Sequence, residues 1–148
     1  IAQIAAEELG VDVGDVVVPP VDTDVSPYGL GAFASRLTVT SGYAARAAAI
    51  DARNQLLAVA ASELEVAADD LVLANKRISV KGAPSRGMTI AEAATAAIFR
   101  QNGAPITGRG VYDAPTTSPN HETKYGDLSS TYVFVCQVAD VEVDVDTG

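Results

Sequence analysis

Apolar positions recur with two different periods along this chain, and the period separates predicted helices from predicted strands. Apolar residues three to four positions apart predict helices over residues 1–9, 35–64 and 89–100. Gly10 stands where a left-handed residue ends a helix. Thr89 and Glu92 have the spacing of a capping box. The longest predicted helix, rich in alanine, is therefore flanked by two shorter ones.

Stretches rich in β-branched residues predict the strands. They are residues 11–21, a hairpin over 71–80, residues 106–112 and residues 131–145. The first is expected to be an edge strand or to end at Pro19, since proline cannot donate to a ladder. Polar stretches with proline and glycine predict loops over 22–33 and 114–130.

Helices and strands that do not strictly alternate indicate an α+β fold, with a mixed sheet packed against one long helix and shorter helices. The 148 residues, 48% of them apolar, are enough for one domain over residues 1–148. The chain starts at Ile1 inside a helical pattern and stops at Gly148 inside a turn pattern. We therefore expect it to be an internal piece of a larger polypeptide.

Charge and composition exclude several classes of partner. Nineteen acidic and ten basic residues give a net charge of −9, which argues against nucleic acid and anionic membranes as partners. No apolar run approaches the ~20 residues of a membrane span. One cysteine, and no visible export signal, favour a cytoplasmic location.

The usual catalytic motifs are missing from the sequence, so no catalytic and no metal-binding residue is predicted. His121 stands in a polar loop, where a solvated imidazole is expected, and Cys136 in an apolar run, where a small buried side chain is expected. Acidic residues alternate with apolar ones near the end, which favours a solvated strand face over a calcium or magnesium site. They are Asp140, Glu142, Asp144 and Asp146.

The most informative stretch is residues 29–38, where a glycine-bearing loop leads into the long predicted helix. The first turn of a helix presents unpaired N–H groups and positive potential, which suits an anion. Ser35 and Thr38 add hydroxyl groups, and Arg36 adds a positive charge. The same residues also fit an ordinary capped helix with Ser35 as its N-cap.

Several blocks of sequence resemble the molybdenum-binding subunit of the xanthine dehydrogenase and aldehyde oxidase family. They occur in the order of that family and cover most of the chain. The blocks are residues 2–11, 22–24, 34–36 with Thr38 and Gly42, 110–112, 132–134, and 137–144 with Thr147 and Gly148. Residues 124–129 and the Ala34-Ser35-Arg36 form are most similar to hydroxybenzoyl-CoA reductase members.

The resemblance implies that residues 34–38 bind the molybdopterin cofactor, through its phosphate or as the cytosine dinucleotide form. Gly31 would give flexibility, Ala34 and Ser35 close contacts, and Arg36 and Thr38 further polar contacts. It also implies one lobe of a cofactor-binding oxidoreductase subunit, with the general-base glutamate lying beyond Gly148. The isolated chain is then expected to be inactive.

The implied partners are the remaining lobes of the same subunit and subunits or domains that carry iron–sulfur clusters and FAD. Apolar surface of the 35–64 helix, left bare without those lobes, would favour self-association of the isolated chain. Two alternatives remain open: a non-catalytic acidic α+β interaction module, and a small anion-binding protein without metal.

Overall fold

The helices and strands lie in the first of two units. The computed structural model describes residues 1–101, 103–132 and 134–148. It divides into Ile1–Ala114, the first unit, and Pro115–Gly148, the second unit. Within the described residues, the second unit contains only turns and irregular backbone. No helix in the described part of the chain has the length and apolar character needed to cross a bilayer.

The first helix, α1, spans Ala2–Leu9 and ends at Gly10, whose φ of 59° is left-handed. This end was predicted correctly. The Gly10 carbonyl accepts a hydrogen bond from the Lys76 N–H at 2.8 Å. A Cβ at position 10 would lie 3.0 Å from the Ala74 Cα, so a larger residue there would push α1 away from the hairpin.

The long helix, α2, spans Leu37–Leu64 and contains 28 residues. It begins two positions after the predicted start because Ala34 and Ser35 are left-handed, with φ of 49° and 55°. It ends at Glu65, which is also left-handed, with φ of 52°. The predicted helix is therefore confirmed, and its start is corrected.

Three antiparallel strands form the sheet, in the order β1-β2-β3. They are β1 Leu71–Ala74, β2 Arg77–Val80 and β3 Ala83–Thr89. The predicted hairpin is confirmed, and its turn residues Asn75 and Lys76 have φ of 50° and 62°. Two positive φ values are typical of the tightest hairpin turn, whose twist matches that of the strands. The α+β class is confirmed. The sheet was predicted to be mixed, and within the described residues it is antiparallel throughout, because short turns join its successive strands.

The last helix, α3, spans Ile90–Ala96 and continues as a π-helical turn over Ala97–Gln101. Its predicted capping box is confirmed. The Glu92 N–H donates to the Thr89 Oγ1 at 3.2 Å, and the Thr89 N–H donates to the Glu92 Oε2 at 2.7 Å. The bond from the Thr89 N–H holds the pKa of Glu92 below its usual range, so the carboxylate stays charged at the helix start.

Replacing Thr89 with alanine should destabilise α3 by about 1 kcal/mol, the usual loss for a removed N-cap hydroxyl. Amide hydrogen exchange of α3 measures the free energy of local opening. Thr95→Ala is the matched control, since the Thr95 hydroxyl only donates to the Ala91 carbonyl within the same helix. Equal exchange in the two variants would show that the cap contributes nothing.

One hydrophobic cluster holds α2, the sheet and α3 together. Its buried residues are Leu56, Val59 and Ala60 from α2; Leu71, Leu73, Ile78 and Met88 from the sheet; and Ala93, Ala96 and Ala97 from α3 and the turn after it. Ile78, on the central strand, and Val59, which lies in the C-terminal half of α2, are the largest fully buried side chains. The core therefore lies under the C-terminal half of α2 and leaves its first turns outside the cluster.

Three of the predicted strands are wrong in the described residues; two of them are residues 11–21 and 131–145, and the third, 106–112, is described with the site below. Residues 11–21 contain a 3₁₀ turn, Val13–Asp15, in which the Asp12 N–H donates to the Asp15 carboxylate at 3.0 Å. Residues 131–145 form no strand where described, and Val133 lies outside the described residues. Both stretches have suitable β-branched residues, but a strand also needs a partner, and within the described residues neither stretch pairs with another strand.

Candidate functional site

The loop that leads into α2 has an unusual backbone. Gly31, Ala34 and Ser35 have positive φ angles of 87°, 49° and 55°. Arg36 then returns to right-handed values, with φ −81° and ψ −18°. Left-handed residues other than glycine cost about 1–2 kcal/mol each, and such strain concentrates at functional sites. A left-handed residue followed by a right-handed one turns successive N–H groups towards one side, as in known anion nests.

The start of α2 leaves N–H groups available. Arg36 is the N-cap residue, and no side chain caps the helix. The first helical bond runs from the Thr40 N–H to the Arg36 carbonyl at 2.8 Å. The N–H groups of the first turn of α2 therefore have no acceptor within the helix. The alternative in which Ser35 is the N-cap is wrong, because Ser35 lies one residue before the cap in a left-handed conformation.

Arg36 is half-buried, and its guanidinium lies 5.0 Å from the centroid of the Phe33 ring. That distance is typical of a cation–π contact, which holds the planar group while leaving its edge N–H donors free. Within the described residues, no carboxylate forms an ion pair with it. Arg36 thus keeps a net positive charge next to the start of α2.

A groove of about 470 Å³ lies beside this charge. One wall is the loop 27–31, and the floor is Arg36 with the face of α2 that carries Thr40, Ser41 and Ala44. The other wall is the segment 110–112. No carboxylate lines the groove in the described structure. In a chain with a net charge of −9, a groove lined by one arginine, by neutral polar and apolar residues and by no acid in the described structure favours an anionic ligand.

The segment 106–112 was predicted to be a strand, and this is wrong: it runs along α2 and forms no ladder. Gln55 pairs with Thr107 twice, its Nε2 donating to the carbonyl at 2.8 Å and its Oε1 accepting from the N–H at 3.3 Å. The Arg109 N–H donates to the Asp51 Oδ2 at 2.9 Å. Side chains of α2 therefore satisfy backbone groups that a neighbouring strand would otherwise satisfy.

Two glycines let this segment approach α2 closely. A Cβ at Gly108 would lie 2.0 Å from the Ala48 carbonyl oxygen, and one at Gly110 would lie 2.2 Å from the Ala44 carbonyl oxygen. No side chain fits at either position. The hydrogen bond from the Arg109 N–H lowers the pKa of the Asp51 carboxyl, which therefore stays charged and keeps accepting that bond.

Tyr112, at the end of the segment, is fixed by an aromatic contact. Its ring stacks on that of Tyr43 from α2, with centroids 4.7 Å apart and planes 21° apart. Offset stacking at this distance is favourable beyond the area that it buries. The wall 110–112 is therefore held at both ends, by the hydrogen bonds of Asp51 and Gln55 and by Tyr43.

Of the five predicted cofactor-binding residues, the structure brings Gly31 and Arg36 together at the groove. Ala34 and Ser35 are exposed in the loop immediately before Arg36. Thr38 lines a separate depression on α2, next to Arg46. Residues that are two positions apart in a helix lie about 200° apart around its axis, so Arg36 and Thr38 point to different sides of α2.

Sequence reasoning missed Thr40, Ser41, Gly110 and Tyr112, which line the same groove as Arg36. Thr40 lies one helical turn after Arg36, so the helical period could have identified it. The Gly-x-Gly spacing of Gly108 and Gly110 could have indicated a close backbone approach.

The other candidate residues lie in the second unit. Cys136 was expected to be buried, and it is exposed, because the apolar run around it has no partner strand among the described residues. His121 is exposed in a turn. Asp140, Glu142, Asp144 and Asp146 are exposed as well. The Asp144 carboxylate accepts bonds from the N–H groups of Asp146 and Thr147, which closes a turn at the chain end.

Comparison with known proteins identifies the family. The model of the molybdopterin cofactor-binding domain family matches residues 1–148. The chain therefore belongs to the molybdopterin cofactor-binding domain family. The sequence resemblance to a molybdenum-binding subunit of the xanthine dehydrogenase type is confirmed.

Individual relatives agree. The chain is 36% identical to the carbon monoxide dehydrogenase large chain of Afipia carboxidovorans over 99% of its own length and 17% of the relative's. It is 31% identical to the xanthine dehydrogenase molybdenum-binding subunit of Escherichia coli O157:H7, over 93% of this chain and 18% of that subunit. The solved structure of reconstituted CO dehydrogenase from Oligotropha carboxidovorans matches with a TM-score of 0.70 and 36% identity, over 77% of this chain and 15% of that one. The chain thus spans about a sixth of the length of these relatives.

Proposed function

We propose that the groove beside Arg36 binds the phosphate-bearing part of the molybdopterin cofactor. The observation that carries this proposal is the groove without carboxylates, with an unpaired arginine at one end, in an otherwise acidic chain. The residues present fit the group. A guanidinium, the Ser41 hydroxyl and the N–H groups of an uncapped helix start are all suited to phosphate oxygens.

Each part of the groove has a distinct role in this proposal. Arg36 neutralises the phosphate charge, and its stacking on Phe33 orients the guanidinium. Ser41 donates a hydroxyl hydrogen bond, whereas the Thr40 hydroxyl donates to the Arg36 carbonyl at 3.1 Å and shapes the start of the helix. The helix dipole of α2 favours negative charge at its start. When bound, the cofactor supplies the metal centre that accepts and passes on electrons. This chain would hold and orient it without a catalytic residue of its own.

The cytosine dinucleotide form of the cofactor is the finer proposal. Tyr28 and Tyr112 line the groove as Arg36 does, and the Tyr28 ring is exposed. Aromatic rings next to a phosphate site offer a surface on which a nucleotide base can stack. The flat rings support a nucleotide as part of the ligand.

For the whole protein, we propose a molybdenum-dependent oxidoreductase of which this chain is an internal segment. Aldehydes or N-heterocycles are the proposed substrates of a hydroxylase, and an aromatic thioester that of a hydroxybenzoyl-CoA reductase-like enzyme. The names "large chain" and "molybdenum-binding subunit" of two relatives support assembly with other subunits. We propose iron–sulfur and FAD subunits or domains as these partners, and a cytoplasmic location.

The test is the cofactor content of full-length protein carrying Arg36→Ala. An arginine–phosphate interaction is worth about 1.5–3 kcal/mol, so the affinity should fall roughly 10- to 150-fold. Molybdenum and pterin per subunit, measured after gel filtration, should both decrease. Arg36→Lys, which keeps the charge but loses the planar fork, should retain an intermediate amount.

Arg100→Ala is the matched control, because Arg100 pairs with Glu63 at 2.8 Å and does not line the groove. It should leave the cofactor content unchanged. Unchanged molybdenum and pterin in Arg36→Ala would contradict the proposed site and favour an interaction role for this junction.

A further inference from the structure

One wall of the groove is held by side chains that do not line it. Asp51 binds the backbone of Arg109, which is 58 positions away in the sequence. Gln55 binds the backbone of Thr107, which is 52 positions away. The wall itself is the next part of the same segment, residues 110–112. The three hydrogen bonds therefore act on the groove through a short stretch of backbone.

The segment has few other means of keeping its position. It belongs to no sheet, and Gly108 and Gly110 have no side chains with which to anchor it. The Thr107 carbonyl and the N–H groups of Thr107 and Arg109 find their partners on α2. Without Asp51 and Gln55, these groups would hydrogen-bond with water. The glycine packing, the Tyr43 contact and the packing of Ile106 against the core cluster would then remain to hold the segment.

Asp51 and Gln55 are too far along α2 to touch a group bound at Arg36. At a rise of 1.5 Å per residue, Asp51 lies about 22 Å along the axis from Arg36, and Gln55 lies about 28 Å from it. Neither lines the groove. Any effect that they have on a ligand at Arg36 must pass through the segment that they hold.

We propose that Asp51 and Gln55 are positioning residues that fix the wall 110–112 opposite Arg36 and so set the affinity of the groove. This proposal rests on the proposed function of the groove. It adds that a preformed wall is part of the site: a loose wall must be ordered when the ligand binds, and that ordering costs affinity.

The variants are Asp51→Ala and Gln55→Ala in the full-length protein, with Asp51→Asn as the conservative variant. Asparagine keeps an oxygen that can accept the Arg109 N–H. Gln101→Ala is the matched control: its Nε2 donates to the Val59 carbonyl at 3.1 Å, also on α2 and away from the groove. It removes the same kind of bond without acting on the wall.

Two measurements separate a positioning role from a merely structural one. Amide hydrogen exchange of residues 106–112 in cofactor-free protein should be about tenfold faster in Asp51→Ala, which loses one hydrogen bond, and faster still in Gln55→Ala, which loses two. The rate at which pterin dissociates from the loaded protein should rise several-fold in the same variants. Asp51→Asn should recover both values, and Gln101→Ala should change neither. Exchange of residues 71–89 should stay as in the original protein, which confirms that the core has folded.

Faster exchange with an unchanged pterin dissociation rate would overturn the proposal, and so would unchanged exchange. If Asp51→Ala does not fold, Gln55→Ala decides by the same two measurements. A failure of the proposed function gives a different result: Arg36→Ala would then also leave pterin dissociation unchanged. If Arg36→Ala loses pterin and the Asp51 and Gln55 variants do not, only the positioning role is wrong.

Discussion

Replacing Gly110 with alanine should detach the segment 106–112 from α2 and empty the groove of its cofactor. The new Cβ would lie 2.2 Å from the Ala44 carbonyl oxygen and 2.3 Å from the Ala48 nitrogen. Both neighbours are helix backbone, which cannot move aside without breaking α2. Overpacking of this kind costs about 1–3 kcal/mol, and the rigid neighbours place Gly110→Ala at the upper end.

The measurement is hydrogen exchange of residues 106–112 together with pterin content in the full-length protein. Gly42→Ala is the control, since its new Cβ would meet only the Ile4 Cδ1, at 2.9 Å, which is the tip of a flexible side chain. Alanine also favours a helix by about 1 kcal/mol over glycine, so this variant should be close to neutral. Protected exchange and full pterin content in Gly110→Ala would show that the segment does not lie against α2.

Replacing Ile78 with alanine should have the largest effect on stability. Ile78 is fully buried on β2, the central strand, in the cluster that joins α2, the sheet and α3. Truncation of a buried isoleucine to alanine costs about 2–5 kcal/mol, because apolar contacts are lost and a cavity remains. Exchange of the amides of β2 reports the corresponding free energy of opening.

Val72→Ala is the matched control, because Val72 lies on β1 and is 43% exposed. It should cost much less than Ile78→Ala. Equal losses in the two variants would mean that the cluster around Ile78 is not the main core. Pterin content should respond less to Ile78→Ala than to Gly110→Ala, since the cluster does not extend to the first turns of α2.

The elements that could be predicted correctly from the sequence are those whose conformation is determined by neighbouring residues. The end of α1 at Gly10, the turn at Asn75 and Lys76, and the cap at Thr89 each depend on a few neighbouring residues. Their conformations follow from backbone sterics and short-range hydrogen bonds. Such signals are present in the sequence itself, and long-range packing is not needed to interpret them.

The strands that sequence predicted wrongly depend on distant partners. Residues 106–112 have the composition of a strand, but the partner beside them is the helix α2, with Gln55 and Asp51 as its hydrogen-bonding groups. Composition states that a stretch can be extended and does not state what it pairs with. The two glycines at 108 and 110 were the available indication that a backbone lies close by.

The candidate site was predicted in part. The loop into the long helix and the positive charge of Arg36 could be recognised from sequence, because a helix start and an arginine are local features. The opposite wall could not be recognised from sequence, since Gly110 and Tyr112 are about 70 positions away from Arg36 along the chain. The helical period favours Thr40 over Thr38 as the hydroxyl next to Arg36 in the groove.

The most direct test of the proposed site is a crystal structure of the full-length protein with its cofactor bound. The proposal predicts a phosphate oxygen at about 2.7–2.9 Å from the Arg36 guanidinium, with the start of α2 beside it. A cofactor whose phosphate oxygens contact neither Arg36 nor the first turn of α2 would contradict it.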